Sequence, residues 1–253
     1  MKKTLLAMVM LSMLGMGAVE AQGHFSLRLG GNFPTGKFAD ASGDFSSGNP
    51  INWGLQDNSK KGGAGIGVIV GGQFKYDIAS VKGLGVLVSV DGMYNSLNSD
   101  VTDYYDDMVD ALDNSTTEFS VTLPTYFNIP IMAGLGYTLK ATNNISVFAE
   151  AALGANIRII TNYVETSYTS MTNYELIATS EYNTATTFAY RLGAGIMLNE
   201  KYSIGVDYYS LGMAKAEGTA YTEINGKEQS NAPKFKAGKI TPANVAIRFG
   251  INF

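Results

Sequence analysis

Eight stretches of this chain alternate residue by residue between an apolar side chain and a small or polar one, and no charge falls on the apolar parity. A period of two places all the apolar groups of a strand on one face of a sheet. The apolar parity runs Phe25, Leu27, Leu29; Ile66, Val68, Val70, Phe74, Tyr76; Leu84, Val86, Val88, Val90, Tyr94; and Phe127, Ile129, Ile131, Ala133, Leu135, Tyr137. It continues through Ile145, Val147, Ala149, Ala151, Leu153, Ile157; Phe188, Tyr190, Leu192, Ala194, Ile196, Leu198; Tyr202, Ile204, Val206, Tyr208; and Val245, Ile247, Phe249, Ile251, Phe253. The other parity carries Arg28, Gln73, Lys75, Asp91, Glu150, Arg158, Arg191, Asp207 and Arg248 among many glycines. Small residues with one or two ions per strand suit the inside of a narrow eight-stranded barrel whose apolar face meets lipid.

The links between these segments alternate in length. Asp77 to Gly83, Lys140 to Asn144 and Asn199 to Lys201 are short, whereas 34 to 63, 95 to 118, 160 to 184 and 212 to 242 are long. Outer-membrane barrels have short periplasmic turns and long external loops, so this rhythm places both termini in the periplasm. Phe74, Tyr76, Tyr137, Tyr202 and Phe253 then fall at periplasmic strand ends as one interfacial girdle. Phe33, Tyr94, Phe127, Phe188, Tyr190 and Tyr208 supply a second at the opposite ends.

The N-terminus reads as an export signal. Lys2 and Lys3 precede an apolar run from Leu5 to Met16 and the small-residue stretch Gly17-Ala18-Val19-Glu20-Ala21, so residues 1–21 are expected to be removed after Ala21. The run is shorter than the roughly 20 residues of a spanning helix, and residues 22–253 contain no second candidate. With no cysteine, the chain forms no disulfide, thiol nucleophile or thiolate metal site. The formal charge is −4; since Lys2, Lys3 and Glu20 belong to the leader, the remainder carries −5, which argues against nucleic acid as a partner. The 29 glycines, 15 tyrosines and 12 phenylalanines beside only six prolines favour a β-rich chain.

The last segment, Val245-Ala246-Ile247-Arg248-Phe249-Gly250-Ile251-Asn252-Phe253, alternates and ends on phenylalanine. With the leader, the strand rhythm and Tyr126-Phe127-Asn128-Ile129-Pro130-Ile131, it makes the chain resemble the small eight-stranded outer-membrane proteins of the OmpX, OmpW and OmpA-barrel kind. The resemblance implies an all-β, eight-stranded antiparallel up-and-down transmembrane barrel in a bacterial outer membrane. It also implies outer-membrane lipid and the barrel assembly machinery as partners, the latter reading Phe249, Ile251 and Phe253. The role it implies is a passive structural or surface-interaction one.

The most specific constellation is an expected lumen polar network of Arg28, Asp91, Glu150, Arg158, Arg191, Asp207 and Arg248, with Glu150–Arg191 and Asp207–Arg248 pairing across neighbouring strands. Ions in a narrow interior are costly unless paired, which favours a structural plug. A pore lining in which Arg28, Lys75, Arg158, Arg191 and Arg248 outnumber Asp91, Glu150 and Asp207, passing anions, is the competing reading. The only histidine, His24, sits at the mature N-terminus, a poor place for a general base. No catalytic, cofactor or metal site is therefore expected. In the second long link, Asp103, Asp106, Asp107 and Asp110 would share one face of a short helix capped by Asp103 or a neighbour, as a solvated acidic segment or a divalent-cation site. Tyr163, Tyr168, Tyr174 and Tyr182 in the third offer a surface for a ligand or an extension of the strands. Asn225-Gly226 in the fourth predicts a tight hairpin. Gly63-Ala64-Gly65-Ile66-Gly67 has no helix pattern after it and reads as strand, not as a phosphate loop. Four functions remain open: a passive surface barrel, a narrow porin or conduit, a lipid-modifying enzyme, and a soluble ligand-binding barrel with the apolar parity turned inward.

Overall fold

The computed structural model describes residues 23–53, 59–229 and 233–253; the leader lies outside them. In chain order the strands are β1 (Gly23–Pro34), β2 (Ser42–Asp44), β3 (Asn49–Asn52), β4 (Ala64–Asp77), β5 (Leu84–Leu97), β6 (Thr117–Thr122), β7 (Tyr126–Lys140) and β8 (Ile145–Ile160). They continue as β9 (Tyr163–Thr169), β10 (Tyr174–Tyr182), β11 (Ala185–Leu198), β12 (Tyr202–Ser210), β13 (Ala214–Ile224), β14 (Lys227–Glu228), β15 (Lys234–Ile240) and β16 (Ala243–Asn252). One helix, α1 (Ser99–Leu112), lies between β5 and β6.

Eight of the strands close a barrel in the order β1, β4, β5, β7, β8, β11, β12, β16, and β16 returns to β1. Every pairing is antiparallel, and the seam is continuous from Ser26↔Asn252 to Pro34↔Asn244. Closure leaves no open sheet edge, which a spanning structure requires in lipid. The apolar parity faces outward: Leu29, Ile66, Leu153 and Phe249 are 59–66% exposed, while the inward Ile69, Leu87 and Met93 are fully buried. A soluble barrel would have the reverse arrangement. Both proposed aromatic girdles are solvent-facing except Phe74, which is half-buried.

The outward apolar face should therefore reject charge. Leu153→Arg or Val88→Arg, each near the middle of its strand, is expected to lose about 2–4 kcal/mol in lipid. Val81→Arg, in an exposed turn, should lose little. Unfolding in bilayers by urea measures both, and equal tolerance at Leu153 and Val81 would contradict the lipid-facing assignment.

The short links are tight. Asn199 and Glu200 both have positive φ (52° and 58°), and Lys201 N–H donates to Leu198 O at 3.0 Å, as in a two-residue hairpin. The Lys140 ammonium pairs with the Glu200 carboxylate across adjacent turns and holds that carboxyl below its usual range.

The long links build a cap. Strands β6, β9, β10 and β13 pair side by side, with β14 and β15 on the far side of β13. Asn225 (φ 47°) and Gly226 (φ 71°) make the hairpin between β13 and β14. The cap of α1 is Asn98, not Asp103: Asn98 Oδ1 accepts from Val101 N–H at 3.1 Å, and its Nδ2 donates to Ala39 O at 2.6 Å, tying the second link to the first. Trp53, Ile51, Ala41 and Val101 pack together there, and Phe38 meets the Tyr126 ring edge-on at 5.1 Å while the Tyr126 hydroxyl donates to Gly62 O. Burial pushes the Tyr163 and Tyr182 hydroxyls upward, and the Tyr163 hydroxyl donates to the Glu165 carboxylate. Among the described residues no cluster of acidic or histidine side chains is placed to hold a metal ion.

Candidate functional site

Inside the barrel, three arginines and three carboxylates from different strands meet at one level. Asp91 on β5 is the hub. Its Oδ1 lies 3.3 Å from Arg28 Nη2 and 3.6 Å from Arg248 Nη1, and its Oδ2 lies 3.8 Å from Arg191 Nη1. The Tyr209 hydroxyl also donates to Asp91 Oδ2, at 3.0 Å. Asp207 accepts from Arg248 Nε at 2.7 Å, and Glu150 accepts from Arg191 Nη2 at 2.8 Å. The register explains how distant strand positions come level: Asp207 lies opposite Ala246 on β16, two residues from Arg248, and Glu150 lies opposite Gly193 on β11, two residues from Arg191.

Two neutral groups complete the cluster. Gln73 Oε1 accepts from both Arg28 Nη1 (2.6 Å) and Arg191 Nη2 (2.7 Å), and its Nε2 donates to Glu150 at 2.6 Å. It thus bridges two cations to a carboxylate. Tyr209 is buried against the Arg248 guanidinium, with its ring centre 5.8 Å away. The six ions sum to zero charge, which lets them sit in a narrow interior.

Arg158 departs from the network expected of it. It is buried nearer the cap, and donates to the backbone carbonyls of Ala214 (3.1 Å), Ile240 (3.3 Å) and Lys215 (2.8 Å). A register shift between Lys215 and Glu217 in the β13–β15 pairing interrupts the ladder beside these carbonyls, so the arginine fastens the base of the cap instead of joining the ions. A tier of buried asparagines lies between the two levels: Asn32 bonds Asn95 at 2.9 Å and Asn156 bonds Asn128 at 3.0 Å. Lys75 lies on the other side of the ions and pairs with Asp77 at 3.0 Å. His24 meets the same carboxylate at 3.3 Å on the exposed rim.

Glycines shape the pocket for the hub acids. Gly71 is the cross-strand partner of Asp91, and Gly193 that of Asp207; a Cβ on either would stand 2.0 or 2.2 Å from the carboxylate. Because these acids are held by arginines, they cannot swing away freely. Gly71→Ala is expected to lower stability by about 1–3 kcal/mol, as overpacking does. The neighbouring outward Gly72→Ala, whose Cβ would meet the Phe25 ring at 3.4 Å and Ser26 O at 4.0 Å, should be near neutral. Comparing their thermal unfolding in detergent decides whether the acid's position is fixed.

On the side of the termini the lumen opens into a cavity of about 520 Å³. Its lining reaches Arg28, Gln73, Glu150, Asp207 and Arg248 but not Asp91, Arg191 or Tyr209, so it stops against the ion cluster.

A closed eight-stranded barrel with an apolar exterior and a polar, ion-paired interior is a transmembrane barrel of the outer-membrane type. The model of the outer membrane protein β-barrel domain family matches residues 4–252, and the chain belongs to that family. The bacterial outer membrane is accordingly its location. Among curated proteins no sequence matches. Among solved structures, OprG of Pseudomonas aeruginosa is similar at 17% identity, over 92% of this chain and 96% of its own, with a TM-score of 0.42. Ail, the attachment invasion locus protein of Yersinia pestis, is similar at 11% identity over 92% and 100%, with a TM-score of 0.36. A major outer membrane protein of Thermus thermophilus is similar at 12% identity over 92% and 100%, with a TM-score of 0.40.

Proposed function

We propose that the protein is a non-enzymatic surface-interaction barrel: a plugged membrane anchor that presents a rigid cap of connecting segments outside the cell. The observation that carries this reading is the cap itself. The described residues of the four long links, which as free loops would lose much conformational entropy on meeting a partner, form paired strands and a packed helix. Both termini and the three short turns face the periplasm in this reading, residues 1–21 are the cleaved leader, and Phe249, Ile251 and Phe253 present the insertion signal to the assembly machinery. The balanced ion cluster serves as a plug, which disfavours the narrow porin.

Adhesion of intact cells to immobilised host or neighbouring-cell surfaces, compared with cells lacking each long link, tests the role. Loss of binding on deletion within 160–184 or 212–242 is expected, whereas unchanged binding for all four deletions overturns it. Proteolysis of intact cells should cut only in the four long links; cleavage within 77–83 or 199–201 reverses the orientation. Planar-bilayer recordings should show no steady conductance, and a stable open level would favour the porin.

A further inference from the structure

We propose that the cavity on the terminal side of the ion cluster is a binding site for a small organic carboxylate with an apolar body, independent of the cap and its partner. The space is built into the strands. Ser146, Ser203, Gly205 and Gly250 contribute so little side-chain volume that the bore stays open below the ions. At about 520 Å³ it falls within the roughly 300–1,000 Å³ range of small-molecule sites.

Its chemistry has two halves. On one wall the Phe148 ring lies over Gly195 and Gly205, where an added Cβ would stand 2.6 and 3.1 Å from its Cζ, and Met197 extends the apolar surface. The glycines accommodate the ring, which gives a ligand an aromatic face to lie against. The polar half is biased toward anions. Each lining carboxylate is already engaged: Asp77 by Lys75 and His24, Glu200 by Lys140, Glu150 by Arg191, and Asp207 by Arg248. Lys82, at the mouth, has no carboxylate partner among the described residues, and the Ser146 and Ser203 hydroxyls make no hydrogen bond within them. One uncommitted cation, two uncommitted hydroxyls and an aromatic wall match a carboxylate on an apolar frame; an organic cation would find no free acid.

The test uses the full chain in zwitterionic lipid nanodiscs, with 4-fluorophenylacetate as probe and 4-fluorobenzylamine as the oppositely charged control, read by fluorine NMR line width. Saturable broadening of the acid and not the amine is expected. Ser203→Trp, which fills the cavity, should abolish it. Lys82→Glu lies in an exposed turn where folding is not at stake, and should weaken binding about five-fold, the equivalent of the ~1 kcal/mol that an exposed ion pair contributes. Tyr168→Ala in the cap should change nothing, and circular dichroism checks that each variant is folded. No saturable broadening, equal broadening of acid and amine, or broadening that folded Ser203→Trp retains would overturn the proposal; loss of cell adhesion would not bear on it.

Discussion

Asp91→Asn should remove about 3–5 kcal/mol from the stability of the barrel, the largest loss expected from any interior substitution. The change is nearly isosteric, so packing is preserved and the effect isolates charge. Arg28, Arg191 and Arg248 all lie within 3.8 Å of Asp91, and with the hub neutral the cluster goes from balanced to one net positive charge. Asp91 does not line the terminal cavity, so little water is at hand to solvate the surplus. The Tyr209 hydroxyl can still donate to the amide oxygen, which keeps one hydrogen bond and separates the ionic loss from it. Adding Arg28→Met restores the balance and should recover part of the stability. Urea unfolding in lipid vesicles, followed by circular dichroism, measures both. A loss below about 1 kcal/mol for Asp91→Asn would mean that the interior is hydrated enough to tolerate an unpaired cation.

Much of this architecture was readable from parity alone, because a one-residue slip would move a strand's whole apolar set to the wrong face. The spans of β4, β8 and β11 follow directly from it, and turn chemistry adds the short turn at Asn199 and the hairpin at Asn225, where asparagine tolerates the left-handed backbone. Composition of the interior was readable, but its geometry was not. Gln73 and Tyr209 stood on the inward parity, yet a search for opposite charges passes over a neutral amide and a phenol, although one amide bridges two guanidiniums. Arg158 has the charge and parity of a network member. What separates it is its height and the register shift in a strand pair about 60 to 80 residues further along the chain. The glycine opposite each hub acid likewise depends on inter-strand register, which shear sets and local sequence does not reveal. Strands in the third and fourth links were legible as extensions and a hairpin, but their partners were not: β6 pairs with β9, and β10 with β13, across separations at which local propensity carries no information about partners.

Asp207→Asn alone should destabilise the barrel more than Asp207→Asn combined with Arg248→Met. In the wild type Arg248 Nε donates to Asp207 Oδ2 at 2.7 Å, and its remaining carboxylate contact is Asp91 at 3.6 Å. Removing only the Asp207 charge leaves three arginines against Asp91 and Glu150; removing Arg248 as well leaves Arg28 and Arg191 against the same two acids, a balanced set. Methionine replaces the arginine's aliphatic stem at similar length but gives up the guanidinium's contact with the Tyr209 ring. The single change is expected to lose about 3 kcal/mol, less than Asp91→Asn because Asp207 borders the terminal cavity and water there softens the loss. The coupling between the two positions should be about 1–3 kcal/mol, well above the few tenths seen for independent sites. Equilibrium unfolding of the four members of the cycle in one lipid reads the coupling directly. Additive effects within about 0.5 kcal/mol would sink the plug, since they would mean that each ion is solvated separately and that water runs past the cluster along the bore.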